Sequence, residues 1–295
     1  MNKFPALSLT FVFSISSFAA PYALSNAVPP TTSTKPQTYA RFVPERQDDF
    51  AWENDKIAFR AYGPASRQGV ENSGFDAWLK RVDYPIIDKW YAQNAAGKSY
   101  HKDHGEGLDN YKVGASAGVG GTGLWLKGKR EPLEAFIEYE IIEVAPERSR
   151  FRLFYEREVG GALYREEKTI TIELGNRLFQ VESVFHKDGE IAANLPICVG
   201  LTTHEGKAET FFNEENGWIA TWEKIGESEL GTGARMDPDQ LDGIEIIDSK
   251  KPDESHIFLL SHTDENGRLA YEAGYGWKKA GEITSTEEWR DYLNR

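Results

Sequence analysis

The strongest constraint on the fold of this chain is a series of short segments, between Ala135 and Lys278, in which apolar and polar residues alternate. The segments FIEYEIIEV, RFRLFYEREV, REEKTITIEL and RLFQVESVFH are followed by LPICVGLTTH, GWIATWEKI, HIFLLSHT and LAYEAGYGWK. A period of two is typical of β-strands with one buried face, and the Gly, Pro and Asn residues between segments are typical of turns. About ten short antiparallel strands without intervening helices predict a mainly-β fold, a large antiparallel β-sandwich with a few short helices.

Two other segments have helical spacing of their apolar residues. The first is GFDAWLKRVDYPIIDKWYAQ, residues 74–93, in which Pro85 predicts a kink or a division into two short helices. The second is the C-terminal STEEWRDYLNR, residues 285–295, with Ser285 or Thr286 as its N-cap.

The N-terminal residues 1–27 have the layout of a secretory signal peptide, with a lysine, a short apolar run and small residues up to Ala27. The apolar run is too short to span a bilayer. Residues 28–39, rich in Pro and Thr, are expected to form a flexible leader, and residues 40–295 a single β-sandwich domain that carries any catalytic site. The chain is predicted to be periplasmic or secreted, without a membrane span.

Charge and cysteine content narrow the possible partners. A formal net charge of −13 disfavours nucleic acid and anionic lipid, although a local cluster of arginines can still bind an anionic substrate. The aromatic content of 13% is common in sugar-binding proteins, and also in large β-sandwiches. The single cysteine, Cys198, forms no intramolecular disulfide and is expected to be a small buried apolar residue.

The most unusual segment is SYHKDHGEGLDNYKVGASAGVGG, residues 99–121. Its glycines exclude a stable helix, so its polar side chains are expected on a loop and a short strand. Here His101, His104, Asp109 and Tyr111 can converge on one ligand, because an imidazole can move a proton near neutral pH and a tyrosine can supply another. The alternative is a purely structural loop, whose polar side chains form hydrogen bonds within the loop and bind no ligand.

The same segment contains four potential metal ligands, His101, Asp103, His104 and Glu106. Their spacing matches neither the H-E-x-x-H pattern nor the calcium-loop pattern. We therefore expect no metal and no other cofactor, with a metal at these four residues as the alternative.

Further candidates lie upstream and downstream of this segment. Arginine suits bidentate binding of carboxylate or sulfate, and the alternative for each upstream arginine is an ion pair on a first strand. A histidine at a strand end, such as His204, is most often structural. The substrate-binding candidates are Arg46, Trp52, Asn54, Arg60, Asp109, Trp125, Tyr275, Trp277 and Lys278.

Three stretches together resemble a known family. PERQDDFAWENDKIAFRAYGP, YHKDHGEGLDNYKVGASAGVGGTGLW and YEAGYGWKKAGEI, the last followed by WRDYL, are similar to the family called domain of unknown function 4861, over about residues 41–293. The resemblance implies a galactose-mutarotase-like β-supersandwich and a place among bacterial proteins that use uronate-containing polymers such as pectin and ulvan. One relative is similar to a dehydratase of ulvan oligosaccharides.

This resemblance suggests roles for the candidate residues. Elimination next to a uronate carboxylate needs a cation on the carboxylate, a base at C5 and an acid for the C4 oxygen. Arginines of the first motif, assisted by Asn54, would neutralise the carboxylate. His104 or His101 would be the base, with His204 as a competing choice, and Tyr111 the acid. A sugar ring would stack on one of the candidate tryptophans.

Three hypotheses follow. The first is an exported carbon–oxygen lyase of uronate oligosaccharides, most simply a dehydratase acting at the non-reducing-end uronate by C5 proton abstraction. The second is a glycoside hydrolase or a sugar epimerase on the same scaffold. The third is a carbohydrate-binding protein without catalytic activity. In each case the partner is an oligosaccharide, expected to be anionic, and no nucleic acid is involved.

Overall fold

The computed structural model describes residue 28 and residues 30–295, so the predicted signal peptide, residues 1–27, lies outside the described residues. The strands of the described part are β1 Tyr39–Val43, β2 Asp49–Glu53, β3 Ala58–Ala61, β4 Phe75–Lys80, β5 Gly107–Leu108, β6 Val119–Leu126, β7 Lys129–Glu131, β8 Glu138–Val144, β9 Arg148–Val159, β10 Ala162–Glu173, β11 Leu178–Lys187, β12 Glu190–Ile191, β13 Pro196–Thr202, β14 Glu209–Asn213, β15 Trp218–Ile225, β16 Ser228–Arg235, β17 Leu241–Ile247, β18 His256–His262 and β19 Arg268–Trp277. The α-helices are α1 Ile87–Ala95 and α2 Thr286–Leu293.

These strands form three antiparallel sheets. The first sheet has the order β1-β2-β3-β4-β5, and the third has the order β17-β18-β13-β6-β7. The second and largest sheet has the order β14-β15-β16-β19-β11-β10-β9-β8, with β12 paired to β11. The predicted mainly-β antiparallel sandwich with a few short helices is thereby confirmed, because nearly every segment of the alternating series is a strand.

All three sheets contribute to one hydrophobic core. Trp52 and Phe59 of the first sheet meet Phe179 of the second, with ring centroids 5.4 Å and 4.9 Å from it. Val199 of the third sheet is part of the same buried cluster. Burial of one large side chain contributes about 2–3 kcal/mol, so the aromatic residues of this chain contribute substantially to its stability.

The outer face of the first sheet is covered by α1 and the chain that follows it. Trp78 on β4 stacks on Trp90 of α1 with ring centroids 5.5 Å apart, and Tyr91 and Tyr100 complete this second cluster. Both faces of the first sheet are therefore buried, and polar residues on its outer face are enclosed between the sheet and this cover.

A buried ion pair fixes the start of α1. The Glu53 carboxylate accepts hydrogen bonds of 2.9 Å from the backbone N–H groups of Ile86 and Ile87. The Lys80 ammonium lies 2.8 Å from the same carboxylate, and both side chains are completely buried. A carboxylate at this position satisfies free N–H groups and interacts favourably with the helix dipole.

The helix predicted over residues 74–93 is wrong in its first half, because Phe75–Lys80 form β4 and only Ile87–Ala95 are helical. All six residues of β4 are buried, one face against the core and the other under α1. A strand covered on both faces lacks the alternation of a half-exposed strand, and its apolar spacing is easily read as helical. Pro85 lies at the predicted break.

Other predictions about local structure are confirmed. The C-terminal helix α2 is capped by Ser285, whose hydroxyl accepts a hydrogen bond from the N–H of Glu288 at 3.2 Å. Cys198 is free and fully buried, with its Sγ 3.5 Å from the carbonyl oxygen of Gly123.

The predicted leader contacts the domain where it is described. The Thr31 N–H donates to Asp88 at 2.7 Å, and Thr38 is buried beside Ser149, with their hydroxyl oxygens 2.8 Å apart. Among the helices of residues 28 and 30–295, none is long and apolar enough to cross a membrane.

Candidate active site

The polar segment singled out in the sequence begins with a loop, residues 99–113, which we call the 99–113 loop. It crosses the outer face of the first sheet and contributes β5, which pairs with the end of β4. Gly107 makes this pairing possible: its φ is +129°, and a Cβ atom there would lie 1.9 Å from the carbonyl oxygen of Leu79. Any larger residue would push the loop off the sheet.

A network of buried charges lies under the loop. Arg60 on β3 and Asp76 on β4 are register partners, and the Arg60 Nη2 donates to the Asp76 carboxylate. The same Nη2 lies 3.4 Å from Oδ2 of Asp109, which follows β5. Arg46 and Asp49 extend the network, with 2.9 Å between Arg46 Nη1 and Asp49 Oδ2. Apart from Arg46, these side chains are almost completely buried.

The network holds three aspartates but only two arginines, so full ionisation would leave one buried negative charge uncompensated. Burial raises the pKa of Asp109 well above its usual range, the Asp76 charge adds to this effect, and Arg60 opposes it. Burial likewise raises the pKa of Asp76, and that of Asp49 to about 6. Carboxyl groups perturbed in this way are common at sites that transfer protons.

His101 connects this network to solvent. Its Nδ1 lies 2.8 Å from the carbonyl oxygen of Asp109 and 3.6 Å from the Asp109 carboxylate, while 62% of its side chain is exposed. Because a carbonyl oxygen only accepts hydrogen bonds, Nδ1 carries the proton and the Nε2 lone pair is free to act as a base. Burial raises the pKa of Asp109 while His101 is neutral, and the positive charge of a protonated His101, 3.6 Å away, would favour the ionised form of that carboxyl group.

His104 is held less firmly. Its Nε2 lies 3.0 Å from the carbonyl oxygen of Ser99, and the residue is exposed. A single carbonyl partner fixes the tautomer, with the proton on Nε2, but no carboxylate contacts the ring. Of the two predicted bases, His101 therefore has the better-organised surroundings.

Among the described residues, no group of three or more His, Cys, Asp or Glu side chains is arranged so that it could hold an ion, and the four potential ligands of this loop have other partners. Asp103 pairs with Arg81 at 3.0 Å and with Lys279 at 2.9 Å. Glu106 pairs with Lys89 at 2.5 Å. Together with the separate partners of the two histidines, these contacts show that the four potential ligands do not converge.

His204 is locked between two acceptors. Its Nδ1 lies 2.7 Å from Glu223 Oε1, and its Nε2 lies 2.7 Å from the carbonyl oxygen of Lys112. Although burial lowers the pKa of His204, the Glu223 carboxylate and the Lys112 carbonyl raise it overall. Both nitrogens therefore carry protons, and the prediction of His204 as a base is wrong because no lone pair is free.

Tyr111 packs against His204, edge-on with ring centroids 4.9 Å apart. It is buried, and burial together with the Glu223 charge raises its pKa well above the usual range. Tyr111 therefore keeps its proton, but its hydroxyl group lies in the core and cannot reach a substrate. The predicted role of Tyr111 as the acid is corrected to a packing role.

A cavity of about 270 Å³ lies between the 99–113 loop and the turn that connects β15 to β16. Its lining includes Trp277, Asn110 and the lysines Lys102 and Lys279. The indole N–H of Trp277 and Oδ1 of Asn110 are buried without a hydrogen-bond partner. The volume is just below the ~300–1,000 Å³ of typical drug-sized pockets and suits one sugar ring. The two lysines of the lining are accompanied by two acids, Asp103 and Glu227, and Trp277 is only 2% exposed.

The remaining candidates lie elsewhere. Trp52, Asn54 and Tyr275 are buried in the core, so their predicted substrate contacts are wrong. The Asn54 side chain bonds the backbone around it, and the Tyr275 hydroxyl donates to the carbonyl oxygen of Trp78 at 2.6 Å. Trp125 packs on Phe258 beside Cys198, away from the loop.

Two predicted cations have ionic partners rather than free positions. Lys278 pairs with Glu229 at 2.7 Å and does not line the cavity. Its neighbour Lys279 lines the cavity and pairs with Asp103. Arg46 pairs with Asp49 and, at 3.0 Å, with Glu71.

Reasoning from sequence missed Asp76, Glu223, Lys102 and Lys279. Asp76 had a signal, because it is a carboxylate between the apolar residues Phe75 and Ala77. Glu223 is likewise an acid within the strand segment GWIATWEKI. The two lysines had none, because surface lysines are frequent and their approach to the cavity depends on the tertiary fold.

A larger groove, of about 650 Å³, lies on the outer face of the second sheet. Its charged side chains largely neutralise one another: Arg150 lies 3.0 Å from Glu182, and Arg235 lies 2.5 Å from Glu272. The groove is thus rich in hydrogen-bonding groups, without the histidine and buried acids of the 99–113 loop.

Comparisons with known proteins agree with the resemblance seen in the sequence. The family described as "Domain of unknown function (DUF4861)" matches residues 11–295. "Uncharacterized protein P7" of Formosa agariphila is 39% identical over 266 residues, which cover 86% of this chain and 66% of that relative. The chain therefore spans slightly less than two thirds of the length of that relative.

Among solved structures, a putative aldose 1-epimerase from Klebsiella pneumoniae aligns with a TM-score of 0.38 and 9% identity, covering 88% of this chain and 91% of that one. The α-N-acetylgalactosaminidase NagBb from Bifidobacterium bifidum aligns with a TM-score of 0.38 and 13% identity, covering 89% of this chain and 38% of that one.

Proposed function

Because this chain belongs to the DUF4861 family, as its sequence motifs predicted, we propose that it is a carbohydrate-active enzyme, specifically a carbon–oxygen lyase of uronate-containing oligosaccharides. Within that class we infer a dehydratase, which removes water from the uronate at the non-reducing end. The observation that carries the proposal is the exposed His101, whose Nδ1 is held by Asp109 so that Nε2 is free to act as a base.

The cavity lined by the sequence neighbours of His101 and Asp109 supports a sugar substrate. Lys102 directly follows His101, and Asn110 directly follows Asp109. Each residue of the proposed His101–Asp109 pair therefore has a neighbour in the sequence that lines the cavity. A ring in the cavity would meet the small accessible part of Trp277, which is 2% exposed, and the polar groups of Lys102 and Asn110.

The same cavity supports recognition of an acid. Removing the C5 proton places additional negative charge on the uronate carboxylate, and nearby cations stabilise that charge. Lys102 lines the cavity and would supply this positive charge, whereas Lys279, which also lines it, is already paired with Asp103 at 2.9 Å. This role replaces the one predicted for Arg46 and Arg60, which are engaged with aspartates under the loop.

The proposed reaction needs a single proton carrier. Nε2 of His101 takes the C5 proton, the electron pair of that C–H bond forms the C4–C5 double bond, and the C4–O bond breaks with its electrons on oxygen. If base and leaving group lie on the same face of the ring, the imidazolium returns its proton to that oxygen and water leaves. No acid of the core, such as Tyr111, is required.

Mass spectrometry of defined uronate oligosaccharides after incubation with the full chain tests this function. Loss of one water indicates a dehydratase, two fragments without added water indicate a chain-cleaving lyase, and fragments with added water indicate a hydrolase. In His101→Gln we expect kcat to fall by about 10²–10⁴-fold, the usual contribution of a general base.

The matched control is His262→Gln. His262 is also exposed, and its Nδ1 also has an acid partner, Asp242, at 2.8 Å, but it lies on β18, away from the loop. We expect wild-type turnover in the control. Near-normal turnover in a folded His101→Gln variant would exclude His101 as the base.

The second candidate function is a glycoside hydrolase acting in the 650 Å³ groove. It is favoured by the size of the groove and by the carboxylates Glu173, Glu182 and Glu272 in its lining, because hydrolysis uses a pair of carboxyl groups. Products with added water that disappear in Glu182→Gln and persist in His101→Gln would establish this function instead.

A further inference from the structure

A second cluster of buried charges lies far from the 99–113 loop, between β6 of the third sheet and β10 of the second. It surrounds a cavity of about 20 Å³, which we call the Lys168 chamber, lined by Lys168, Glu166, Thr122, Arg130 and Glu134 among others. A cavity of this volume holds about one water-sized body, so it excludes a sugar.

Lys168 has few polar partners for a buried ammonium group. Its side chain is 3% exposed, and its Nζ lies 2.9 Å from Thr122 Oγ1 and 3.4 Å from Glu166 Oε1. Its remaining neighbours are the ring faces of Phe75 and Tyr155, at 5.0 Å and 4.8 Å from the ring centroids. Burial lowers the pKa of Lys168, the nearby Arg130 charge adds to this effect, and Glu166 opposes it.

The Glu166 carboxylate is already used by other donors. It accepts a hydrogen bond of 2.6 Å from the Ser183 hydroxyl and one of 2.9 Å from the Thr122 hydroxyl. Its single negative charge balances one of the two cations of the chamber, Lys168 and Arg130, and leaves the other without a counter-charge there.

Arg130 provides an unused donor. Its Nε donates to the carbonyl oxygen of Thr122 at 3.1 Å, and its Nη1 approaches the Ser73 hydroxyl at 3.5 Å. Its Nη2 is buried and has no hydrogen-bond partner among the described residues. A buried N–H group of a cation without an acceptor costs several kcal/mol, unless something outside the chain binds it.

The other carboxylate of the lining does not supply that acceptor. Glu134 lies 3.3 Å from Arg67 and 3.4 Å from Arg157, and Arg157 also lies 3.7 Å from Glu131. Counting these two arginines and two glutamates with Lys168, Arg130 and Glu166, four cations face three carboxylates. The region keeps one positive charge in excess.

We propose that the Lys168 chamber binds a chloride-sized monovalent anion between the Lys168 ammonium and Nη2 of Arg130. The anion accepts hydrogen bonds from the free donors and balances the excess charge. It also links β10 to β7, and therefore the second sheet to the third, so its binding stabilises the fold. The site is separate from the candidate active site and does not depend on the proposed function.

Thermal unfolding of the full chain at constant sodium concentration tests this site, with chloride replaced stepwise by gluconate, which is too large for the chamber. A ligand that binds only the folded state raises the Tm in proportion to ln(1 + [L]/Kd). We expect a rise of a few degrees that follows the logarithm of the chloride concentration above Kd, a similar rise with bromide and none with acetate. A Tm that is the same in chloride and gluconate would overturn the proposal and leave water as the occupant.

Two variants and a control complete the test. Lys168→Met should abolish the chloride dependence, while Lys207→Met, which removes a lysine whose side chain is 71% exposed, should keep it. Should Lys168→Met fail to fold, Arg130→Met is measured in its place. Crystals grown in bromide should show an anomalous peak between Lys168 Nζ and Arg130 Nη2, and an empty chamber in such crystals would exclude the site.

Discussion

His256 and His204 show how neighbouring groups set the protonation of a histidine. Nε2 of His256 accepts a hydrogen bond of 3.0 Å from the N–H of Ala117, so this nitrogen carries no proton. Burial lowers the pKa of His256 to about 3. His204 has acceptors at both nitrogens and stays protonated. The same residue type therefore acts as a neutral acceptor at one position and as a cation at the other.

The state of His256 predicts how the protein responds to acid. An unfolded histidine has a pKa of about 6.5, so between pH 6.5 and 3 the unfolded state binds more protons than the folded state. The stability that neutral His256 contributes is complete above pH 6.5 and is lost as the pH falls through that window. The expected slope from this residue is at most about 1.4 kcal/mol per pH unit.

Denaturant unfolding at several pH values measures this slope in wild type and in His256→Gln, whose amide oxygen can still accept the bond from Ala117. We expect a flatter acid limb in the variant. The control is His262→Gln, which removes an exposed histidine and should keep the wild-type slope. An equal slope in His256→Gln and wild type would contradict a buried neutral imidazole.

Individual residues were also where sequence reasoning was weakest. The histidines of residues 99–121 were correctly singled out as polar groups on a loop, but the sequence could not rank His101 above His104. That ranking depends on Asp109, eight residues further on, returning to the His101 ring through the β5 pairing. Likewise, Trp52 has the residue type of a sugar platform, and only the packing of the sheets shows that it is core.

At the scale of elements, the shortest strand positions much of the candidate site. The β5 pairing places the carbonyl oxygen and carboxylate of Asp109 beside His101, and it depends on the close approach of Gly107 to Leu79. A loop without this anchor would lose the geometry of the base even if every polar side chain were kept.

Gly107→Ala should therefore destabilise the fold and reduce turnover together. A Cβ atom 1.9 Å from a carbonyl oxygen forces the strand to separate, and φ of +129° is itself strained for alanine, so the expected loss is about 3 kcal/mol of unfolding free energy. The control is Gly105→Ala, with φ of +104° and no atom within 4 Å, which should lose about 1 kcal/mol. Equal losses of unfolding free energy in the two variants would show that the positive φ, and not the close approach to Leu79, causes the destabilisation.

The ion pair at the start of α1 gives a second prediction for an element. Glu53→Gln leaves the Lys80 charge buried without a counter-charge, and breaking such a pair costs about 3–5 kcal/mol. The double variant Glu53→Gln with Lys80→Met removes the unpaired charge and should recover part of the loss. A double-mutant cycle by urea unfolding measures this coupling, and strictly additive losses would contradict it.

The elements that the sequence predicted well are those with a single solvent-exposed face. The segments that became β9, β10 and β11 alternate because one side faces water, and α2 was identified from its cap at Ser285. By contrast, β4 was read as helix because both of its faces are covered. Burial on two sides comes from tertiary packing and erases the periodic signal that local sequence would otherwise carry.

At the scale of the whole molecule, buried His256 and the buried aspartates change the stability of the fold with pH in opposite directions. His256 makes the fold weaker as the pH falls. The aspartates of the network under the 99–113 loop have raised pKa values, so over the window from about pH 4 upward the folded state binds more protons than the unfolded state. The stability that these aspartates contribute is complete below the pKa of an aspartate in the unfolded chain. It is lost as the pH rises through their pKa in the folded protein, which is about 6 for Asp49.

Asp109→Asn separates stability from activity in this scheme. It removes one of three carboxyl groups that share two arginines, so the variant should lose less stability than wild type as the pH rises from 4 to 7, and its unfolding free energy at pH 7 should be equal or higher. Turnover should nevertheless fall at least about 10-fold, because an amide 3.6 Å from Nδ1 cannot ionise to balance the positive charge that His101 gains with the proton.

The control is Asp103→Asn, in the same loop, for which the expected change of stability with pH has the opposite sign. The pKa of Asp103 is lowered because the bond from Lys279 and other polar contacts outweigh burial, so Asp103→Asn should lose stability at neutral pH and not at pH 3. If Asp109→Asn were less stable at pH 7 with an unchanged pH slope, the network would be an ordinary set of ion pairs. A more stable but less active variant would mean that the fold keeps a third buried carboxyl group because proton transfer at His101 requires it.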